Sequence, residues 1–217
     1  MKLYYVEGSA NCRKVLATIR HLGLDVEIKY LDFFDGDMTR PEFLQHTVTG
    51  RVPVLVDGDF SLWESNAIMQ YLADKVPGNL LFPVNARRRA DVVRWQCWEL
   101  AHYNQALGTL VFESVFKPGF GMGETDQAAV KQAATSLIEH AGVLDKYMVD
   151  KKYVTGDQIT IADYSVLCLE AFKEDIPFDW SGFEHLNAYY DRIRSEPHWR
   201  STAPASIEAL GRVPESA

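Results

Sequence analysis

The chain has 217 residues, of which 47% are hydrophobic and 24% charged, and its formal net charge is −8, from 22 basic and 30 acidic residues. This length suits one large domain or two small ones, and the average composition excludes disordered, collagen-like and low-complexity proteins. The acidic balance argues against a nucleic-acid partner, and no apolar run approaches the roughly 20 residues that a membrane-spanning helix needs.

The three cysteines, Cys12, Cys97 and Cys168, are far apart in the chain and odd in number. They have neither the pairing of a disulfide framework nor the spacing of a zinc site, so no metal is expected. Free thiols are typical of a reducing compartment, and the early apolar run over 3–6 is too short for a signal peptide. The expected location is the cytoplasm.

The first eighty residues alternate between strand-like and helix-like segments, separated by turn signals at Gly23 and Gly58. The predicted order is β-α-β-α-β-β-α, which describes a small α/β domain over 1–77 with a sheet of about four strands. Strands are predicted over 2–6, 26–31, 52–56 and 60–62, and helices over 15–22, 41–45 and 64–75.

Beyond a linker at about 76–84, apolar residues recur only at helical spacing. Helices are predicted over 85–116 and 126–148, with Lys117-Pro118-Gly119 as the breaker between them. Capping boxes are predicted at Thr160–Asp163 and at Ser181–Glu184, each opening a further helix. The second domain, 85–217, is therefore predicted to be all helical.

The loop Ser9–Cys12 lies between the first predicted strand and the first predicted helix. Ligands of α/β layers meet the carboxyl ends of strands and the amino ends of helices, where a hydroxyl and an amide could stabilise a thiolate. The alternative is that Ser9 or Asn11 only N-caps the helix. Cys12, at the same helix start, is either a nucleophile or a small residue packed under the sheet.

Two further segments could bind a peptide-like ligand. A cis Val52–Pro53 bond would turn the Val52 backbone toward an extended ligand, whereas an ordinary strand-start proline would only open the strand. Glu64 and Ser65 could hold the ammonium and carboxylate ends of an amino acid, with Ser65 as N-cap of the next helix. The alternative for this pair is plain helix capping.

Taken together, in this order, these motifs resemble the glutathione transferase superfamily, in particular bacterial-type members with a serine or asparagine thiolate site, like the theta, delta and nu classes. The match covers nearly the whole chain. The matching motifs are Ser9-x-Asn11-Cys12-Arg13-Lys14-Val15, Gly50-x-Val52-Pro53-Val54-Leu55, Glu64-Ser65-x-Ala67-Ile68-x-x-Tyr71-Leu72 and Thr160-Ile161-Ala162-Asp163.

The resemblance implies a thioredoxin-like N-terminal domain that binds glutathione, followed by an all-helical C-terminal domain that forms most of the second-substrate site. It implies a cis bond before Pro53 and backbone pairing of Val52 with the cysteinyl part of glutathione. Glu64 and Ser65 would hold the γ-glutamyl end, and Arg51 would contribute near the glycyl end.

The resemblance also implies the chemistry. Ser9, with Asn11 assisting, would stabilise the thiolate of glutathione, the co-substrate, for attack on a small hydrophobic electrophile. Because Ser-x-Asn is similar to a Thr-x-Asn loop of bacterial relatives, Asn11 could instead be the main donor in a glutathione-dependent disulfide or peroxide reductase. A non-catalytic glutathione-binding or scaffold protein of the same fold is the third hypothesis.

The second substrate and the assembly are less specified. Tyr103 and Leu107 lie one helical turn apart and could face the second-substrate cleft; the alternative is that they pack between helices. The resemblance implies a homodimer with each active site near the interface, and a cytoplasmic enzyme of detoxification.

Overall fold

The structure is a computed structural model that describes residues 1–204 and 209–214; residues 205–208 and 215–217, at the end of the predicted second domain, lie outside the described residues. The chain forms two compact units. One comprises Met1–Asn79 together with the described part of Pro197–Ala217, and the other comprises Leu80–Glu196.

The first unit is built on a four-stranded mixed sheet with the strand order β2-β1-β3-β4. Strand β1 pairs in parallel with β2 and antiparallel with β3, which pairs antiparallel with β4. The predicted order of elements is confirmed. The elements are β1 (Lys2–Tyr5), α1 (Ala10–Leu22), β2 (Glu27–Tyr30), α2 (Pro41–Leu44), β3 (Val54–Asp57), β4 (Phe60–Trp63) and α3 (Ser65–Asp74).

Side chains on both faces of this sheet are buried, which follows from the alternation of side chains along a strand. Leu3 of β1 lies opposite Leu55 of β3, and both are almost fully buried. Residues of the opposite face form a cluster in which Val54 packs with Leu31 and with Phe43 of α2. The short helix α2 therefore covers one face of the sheet.

Two predicted turns are confirmed. Helix α1 ends at Gly23, which has a φ of 63° and donates its N–H to the Arg20 carbonyl. The β3–β4 hairpin turns at Gly58, with a φ of 64°. A left-handed backbone is open to glycine because it has no Cβ.

The regular elements of the second unit are all helical among the residues that the structure describes, as predicted, and an isolated β-bridge pairs Tyr153 with Gly156. Two π-helical segments, Glu99–Tyr103 and Phe112–Phe116, interrupt the first long helical stretch. A 3₁₀ segment covers Glu170–Asp175. The helices are α4 (Ala86–Trp98), α5 (Asn104–Val111), α6 (Lys117–Gly119), α7 (Gln127–Met148), α8 (Ile161–Val166) and α9 (Glu184–Ser195).

Of two predictions about helix ends, one is confirmed and one is wrong. The stretch ends at the predicted breaker, because Lys117–Gly119 forms its last helical residues and the chain turns at Phe120. The Ser181 capping box does not form, since α9 begins with Phe183 as N-cap and without a side-chain cap bond. The Ser181 N–H instead bonds the Asp179 carboxylate at 2.9 Å.

The capping box at Thr160 and Asp163 is confirmed and is part of a larger network. The Asp163 carboxylate accepts the N–H of Thr160 at 2.7 Å and that of Val154 at 2.9 Å. It also accepts the hydroxyl of Tyr189 at 2.6 Å. Burial raises the pKa of Asp163 to about 6, and these hydrogen bonds oppose the rise.

The C-terminal residues differ from the predicted domain boundary. Helix α10 (Pro197–Arg200) packs on α1 of the first unit, although the second domain was expected to extend to residue 217. The guanidinium of Arg13 lies 4.0 Å from the centre of the Trp199 ring, and its Nε donates to Thr202 Oγ1 at 3.3 Å. These buried contacts attach the segment to the first unit.

Candidate active site

Ser9 lies where β1 leads into α1 and is the N-cap of that helix. Its backbone is extended, and its Oγ accepts the N–H of Cys12 at 3.3 Å. The capping alternative is thus observed. It is compatible with a second role, because a hydroxyl has one donor and two acceptor sites, and the cap bond uses only an acceptor site.

Asn11 and Ser65 connect two of the sequence motifs. The Ser65 hydroxyl donates to Asn11 Oδ1 at 3.2 Å, so the loop after β1 lies beside the start of α3. Asn11 is exposed and Ser65 is buried. Because Oδ1 is the acceptor in this bond, the Asn11 NH₂ group keeps the capacity to donate to a ligand.

Cys12 is fully buried, and burial raises the pKa of its thiol to about 12. A thiol of that acidity is protonated at neutral pH and is not a nucleophile. The interpretation as a small residue packed under the sheet is therefore confirmed.

The Val52–Pro53 peptide bond is cis, as the resemblance implied. Strand β3 starts at Val54, two residues later than predicted, because the cis bond and the bend at Val52 precede the pairing. Among the described residues, no hydrogen bond partner occupies the Val52 peptide groups. Arg51 beside it is exposed, and its N–H contacts Thr49 Oγ1 at 3.4 Å.

Glu64 is the only described non-glycine residue with a positive φ, at 70°. It is the N-cap of α3, and the predicted N-cap, Ser65, is instead the first residue of the helix. The reason is local: the sharp turn after β4 places the Glu64 carbonyl to accept the Ile68 N–H at 2.9 Å. The Glu64 side chain makes no cap bond and is exposed, so its carboxylate is available to a cation.

Lys14 and Asn66 form a buried contact that sequence reasoning missed. The ammonium of Lys14 donates to Asn66 Oδ1 at 2.9 Å, linking α1 to α3 directly behind Asn11 and Ser65. Lys14 is fully buried, an uncommon state for a lysine. The sequence did contain a signal for this contact: Lys14 belongs to the first motif, whereas a lysine on the surface would not need a fixed position in a motif.

Tyr103 and Leu107 belong to the second unit and are fully buried. The hydroxyl of Tyr103 lies 2.7 Å from that of Tyr190, and burial raises its pKa. These positions favour the helix-packing alternative. Their assignment to a second-substrate site stays a prediction.

The described residues contain no group of three or more histidine, cysteine, aspartate or glutamate side chains placed to hold a metal ion. Within the same residues, no helix is both long and apolar enough to cross a bilayer.

The fold and the site define a class of protein: a thioredoxin-like unit with a cis-proline before its third strand, joined to an all-helical unit. Family models agree. Residues 3–80 match the glutathione S-transferase N-terminal domain, and residues 103–197 match the glutathione S-transferase C-terminal domain.

Individual relatives match over nearly the whole chain. Glutathione S-transferase 3 of Zea mays is 32% identical over 210 residues, which are 94% of each chain. The crystal structure of glutathione transferase F7 from Populus trichocarpa is 28% identical, with a TM-score of 0.86, covering 93% of this chain and 97% of the other. The theta class enzyme from Xanthomonas axonopodis pv. citri, with glutathione bound, is 26% identical, with a TM-score of 0.83 and coverage of 95% and 98%. The chain belongs to the glutathione S-transferase family, and it is a transferase of that family.

Proposed function

We propose that the chain activates the thiol of bound glutathione for attack on small hydrophobic electrophiles, with Ser9 as the thiolate donor and Asn11 assisting. The observation that carries the proposal is the state of the Ser9 hydroxyl. It is fixed by the bond from the Cys12 N–H and retains its proton for a ligand at the amino end of α1. This supports a serine-type member of the family, like the theta and delta classes, as part of the proposal.

The other proposed contacts with glutathione use accessible groups of the first unit. The Val52 peptide groups would pair with the cysteinyl residue in the manner of a β-strand. The exposed Glu64 carboxylate would hold the ammonium of the γ-glutamyl end, and the Ser65 N–H, at the start of α3, would hold its carboxylate. Arg51, exposed next to Val52, would lie near the glycyl carboxylate. The Xanthomonas relative has glutathione bound, which supports glutathione as the ligand.

The energies are sufficient without a separate general base. A free thiol has a pKa near the ~8.5 of cysteine, and lowering it by one requires about 1.4 kcal/mol of preference for the thiolate. A hydrogen bond to a charged acceptor contributes roughly 1.5–3 kcal/mol. The start of α1 adds up to about 1 kcal/mol. Together these terms lower the thiol pKa by about one to three.

The direct test is the ultraviolet difference spectrum of glutathione bound to the protein, titrated over pH. We expect thiolate absorbance to appear at least one pH unit below the midpoint of free glutathione. Saturating glutathione without a thiolate signal would contradict the proposal and favour the non-catalytic binding or scaffold alternative. No binding at all would contradict both.

The exposed Asn11 amide favours one second candidate, a glutathione-dependent disulfide or peroxide reductase. In that reaction the Asn11 NH₂ group would be the main thiolate donor. The candidate predicts turnover of a mixed disulfide with little conjugation of an aryl halide, whereas the proposed transferase predicts the reverse. Comparing Asn11→Ala with Ser9→Gly in both assays separates the two donors.

The strained turn at Glu64 yields a prediction that separates binding from folding. A non-glycine residue held at positive φ costs on the order of 1–3 kcal/mol. Glu64→Gly is therefore expected to raise the free energy of unfolding by about 1 kcal/mol, measured by urea denaturation, while it weakens glutathione binding at least tenfold by calorimetry. Glu64→Gln, which keeps the strain, should weaken binding without the gain in stability. Unchanged affinity in both variants would remove Glu64 from the site.

Three further parts of the proposal concern the cell and the assembly. The protein would act in the cytoplasm on electrophilic compounds, as a detoxification enzyme without a metal. It would be a homodimer, as a light-scattering mass twice that of the chain would show. Tyr103 and Leu107 would influence the second-substrate site; as both are buried, that influence would pass through the packing of α5 and of the π-helical segment before it.

A further inference from the structure

Four residues near the C-terminus, Ala209–Arg212, lie against the same edge of the first unit as Ser9; we name them the C-terminal strap. Strands β1 and β2 are parallel, so their carboxyl ends meet at one edge of the sheet. The loop after β1 leads to Ser9, and the loop after β2 begins at Leu31. Ligands of α/β sheets bind at this kind of edge.

The backbone of Gly211 joins the two loops. Its N–H donates to the Glu7 carbonyl at 2.8 Å, and its carbonyl accepts the Phe33 N–H at 2.8 Å. Gly211 has a φ of 78°, and a Cβ there would lie 3.0 Å from the ring of Phe34. Glycine is therefore the residue that fits between the loops.

The side chain of Leu210 fills the space over Gly8, the residue before Ser9. Leu210 is 2% exposed, and a Cβ on Gly8 would lie only 2.1 Å from its Cδ2 atom. Gly8 has a φ of 78°, so the chain turns sharply there under the leucine. The Ser9 N–H bonds back to the Val6 carbonyl at 3.2 Å, and so the Leu210 contact acts on the turn that sets the position of Ser9.

Arg212 attaches the strap to the loop after β2. Its guanidinium lies 4.2 Å from the centre of the Phe34 ring and 3.7 Å from the Asp32 carboxylate. The same carboxylate accepts the N–H of Phe34 at 2.8 Å and that of Asp35 at 3.0 Å. The strap thus contacts a loop that is already internally ordered.

We infer that the C-terminal strap is a positioning element for the thiolate donor: Leu210 and Gly211 hold the turn at Gly8 so that the Ser9 hydroxyl points at the sulfur of glutathione. This inference rests on the proposed function for its catalytic consequence. The positioning itself is a property of the first unit and is measurable without any ligand. Leu210 and Gly211 touch no reacting atom and are positioning residues.

The test uses Leu210→Ala in the full-length protein, with two readouts. Hydrogen exchange without ligand is expected to accelerate in peptides covering 6–12 and 31–36, which lose the contacts of the strap. In the thiol titration, bound glutathione is expected to show about tenfold less thiolate below its midpoint, a pKa rise of about one. Leu210→Met, which conserves volume, should restore both values.

Two controls separate positioning from general loss of stability. Met69→Ala removes an equally buried side chain from α3 and should lower the free energy of unfolding by a similar amount without shifting the thiol titration. Val213→Ala, at a residue next to the strap that is 42% exposed, should change neither readout.

The outcomes distinguish this inference from the proposed function. Unchanged exchange in 6–12 of Leu210→Ala would overturn the inference, whatever the chemistry of the site. Faster exchange with an unshifted thiol titration would overturn the part of the inference that concerns the thiolate of glutathione. If wild-type protein shows no thiolate, the proposed function fails, and the exchange data still decide whether the strap positions the Ser9 turn.

Discussion

Ser9→Gly is expected to raise the thiol pKa of bound glutathione by about one to two and to reduce conjugation of an aryl halide about 10- to 100-fold, because the hydroxyl contributes roughly 1.5–3 kcal/mol to the thiolate. Glycine is chosen because it replaces serine at an N-cap at a loss of only a few tenths of a kcal/mol. The variant therefore removes the donor and leaves α1 nearly as stable. The measurements are the thiol titration and the steady-state rate.

Two other substitutions at the same residue complete this experiment. Ser9→Thr keeps both a hydroxyl and a good cap, and it should retain most of the activity. Ser9→Ala loses the donor and also the cap, so it should lower the free energy of unfolding by about 1 kcal/mol. Full activity in Ser9→Gly would show that Asn11 or the helix end alone stabilises the thiolate.

Asp163→Ala is expected to give the largest loss of stability of any single substitution considered. It leaves the N–H groups of Thr160 and Val154 and the Tyr189 hydroxyl buried without their acceptor. Each such group costs about 1–3 kcal/mol, so a loss on the order of 3–5 kcal/mol in the free energy of unfolding is expected. Urea denaturation with fluorescence detection measures it. The matched control is Asp179→Asn, at an exposed turn, where a change below about 0.5 kcal/mol is expected.

The same carboxyl predicts a pH dependence. The pKa of about 6 in the folded state lies above the ordinary value of 3.8, so the native state binds the proton more tightly than the unfolded state. Its contribution to stability is then fully present below pH 3.8 and is lost as the pH rises through about 6. The difference in unfolding free energy between wild type and Asp163→Ala should accordingly be greater at pH 4 than at pH 7. A difference that grows with pH would show that the hydrogen bonds outweigh burial.

Local patterns in the sequence predicted most of the first unit, because each pattern acts over a few residues. Short strand-like runs indicated the strands, and Gly23 and Gly58 indicated turns that require a left-handed backbone. The capping box at Thr160 formed because its two members lie within one helical turn. The same pattern did not form at Ser181. There Asp179, which precedes the predicted box, accepts the serine N–H that the box would use.

What could not be predicted depends on residues that are distant in the chain. The sequence predicts Ser65 as a helix cap, yet its hydroxyl bonds Asn11, 54 positions earlier. The strap meets the Ser9 turn through Leu210, some 200 residues away, and nothing local to either segment indicates the contact. Lys14 is buried because α3 supplies the Asn66 amide. Such pairings become visible only when the chain is folded.

The π-helical segment Glu99–Tyr103 changes how the helical unit tolerates insertions and deletions. An α-helix turns 3.6 residues per revolution, so each residue corresponds to a rotation of about 100°. The wider π turn absorbs one additional residue; Leu100 is left 46% exposed, while Leu107 beyond it is fully buried. Deleting a single residue there would rewind the segment to an α-helix while α5 keeps its orientation, so Leu107 and Leu110 would stay buried. In this part of the chain, the type of helical turn absorbs a change of one residue in length.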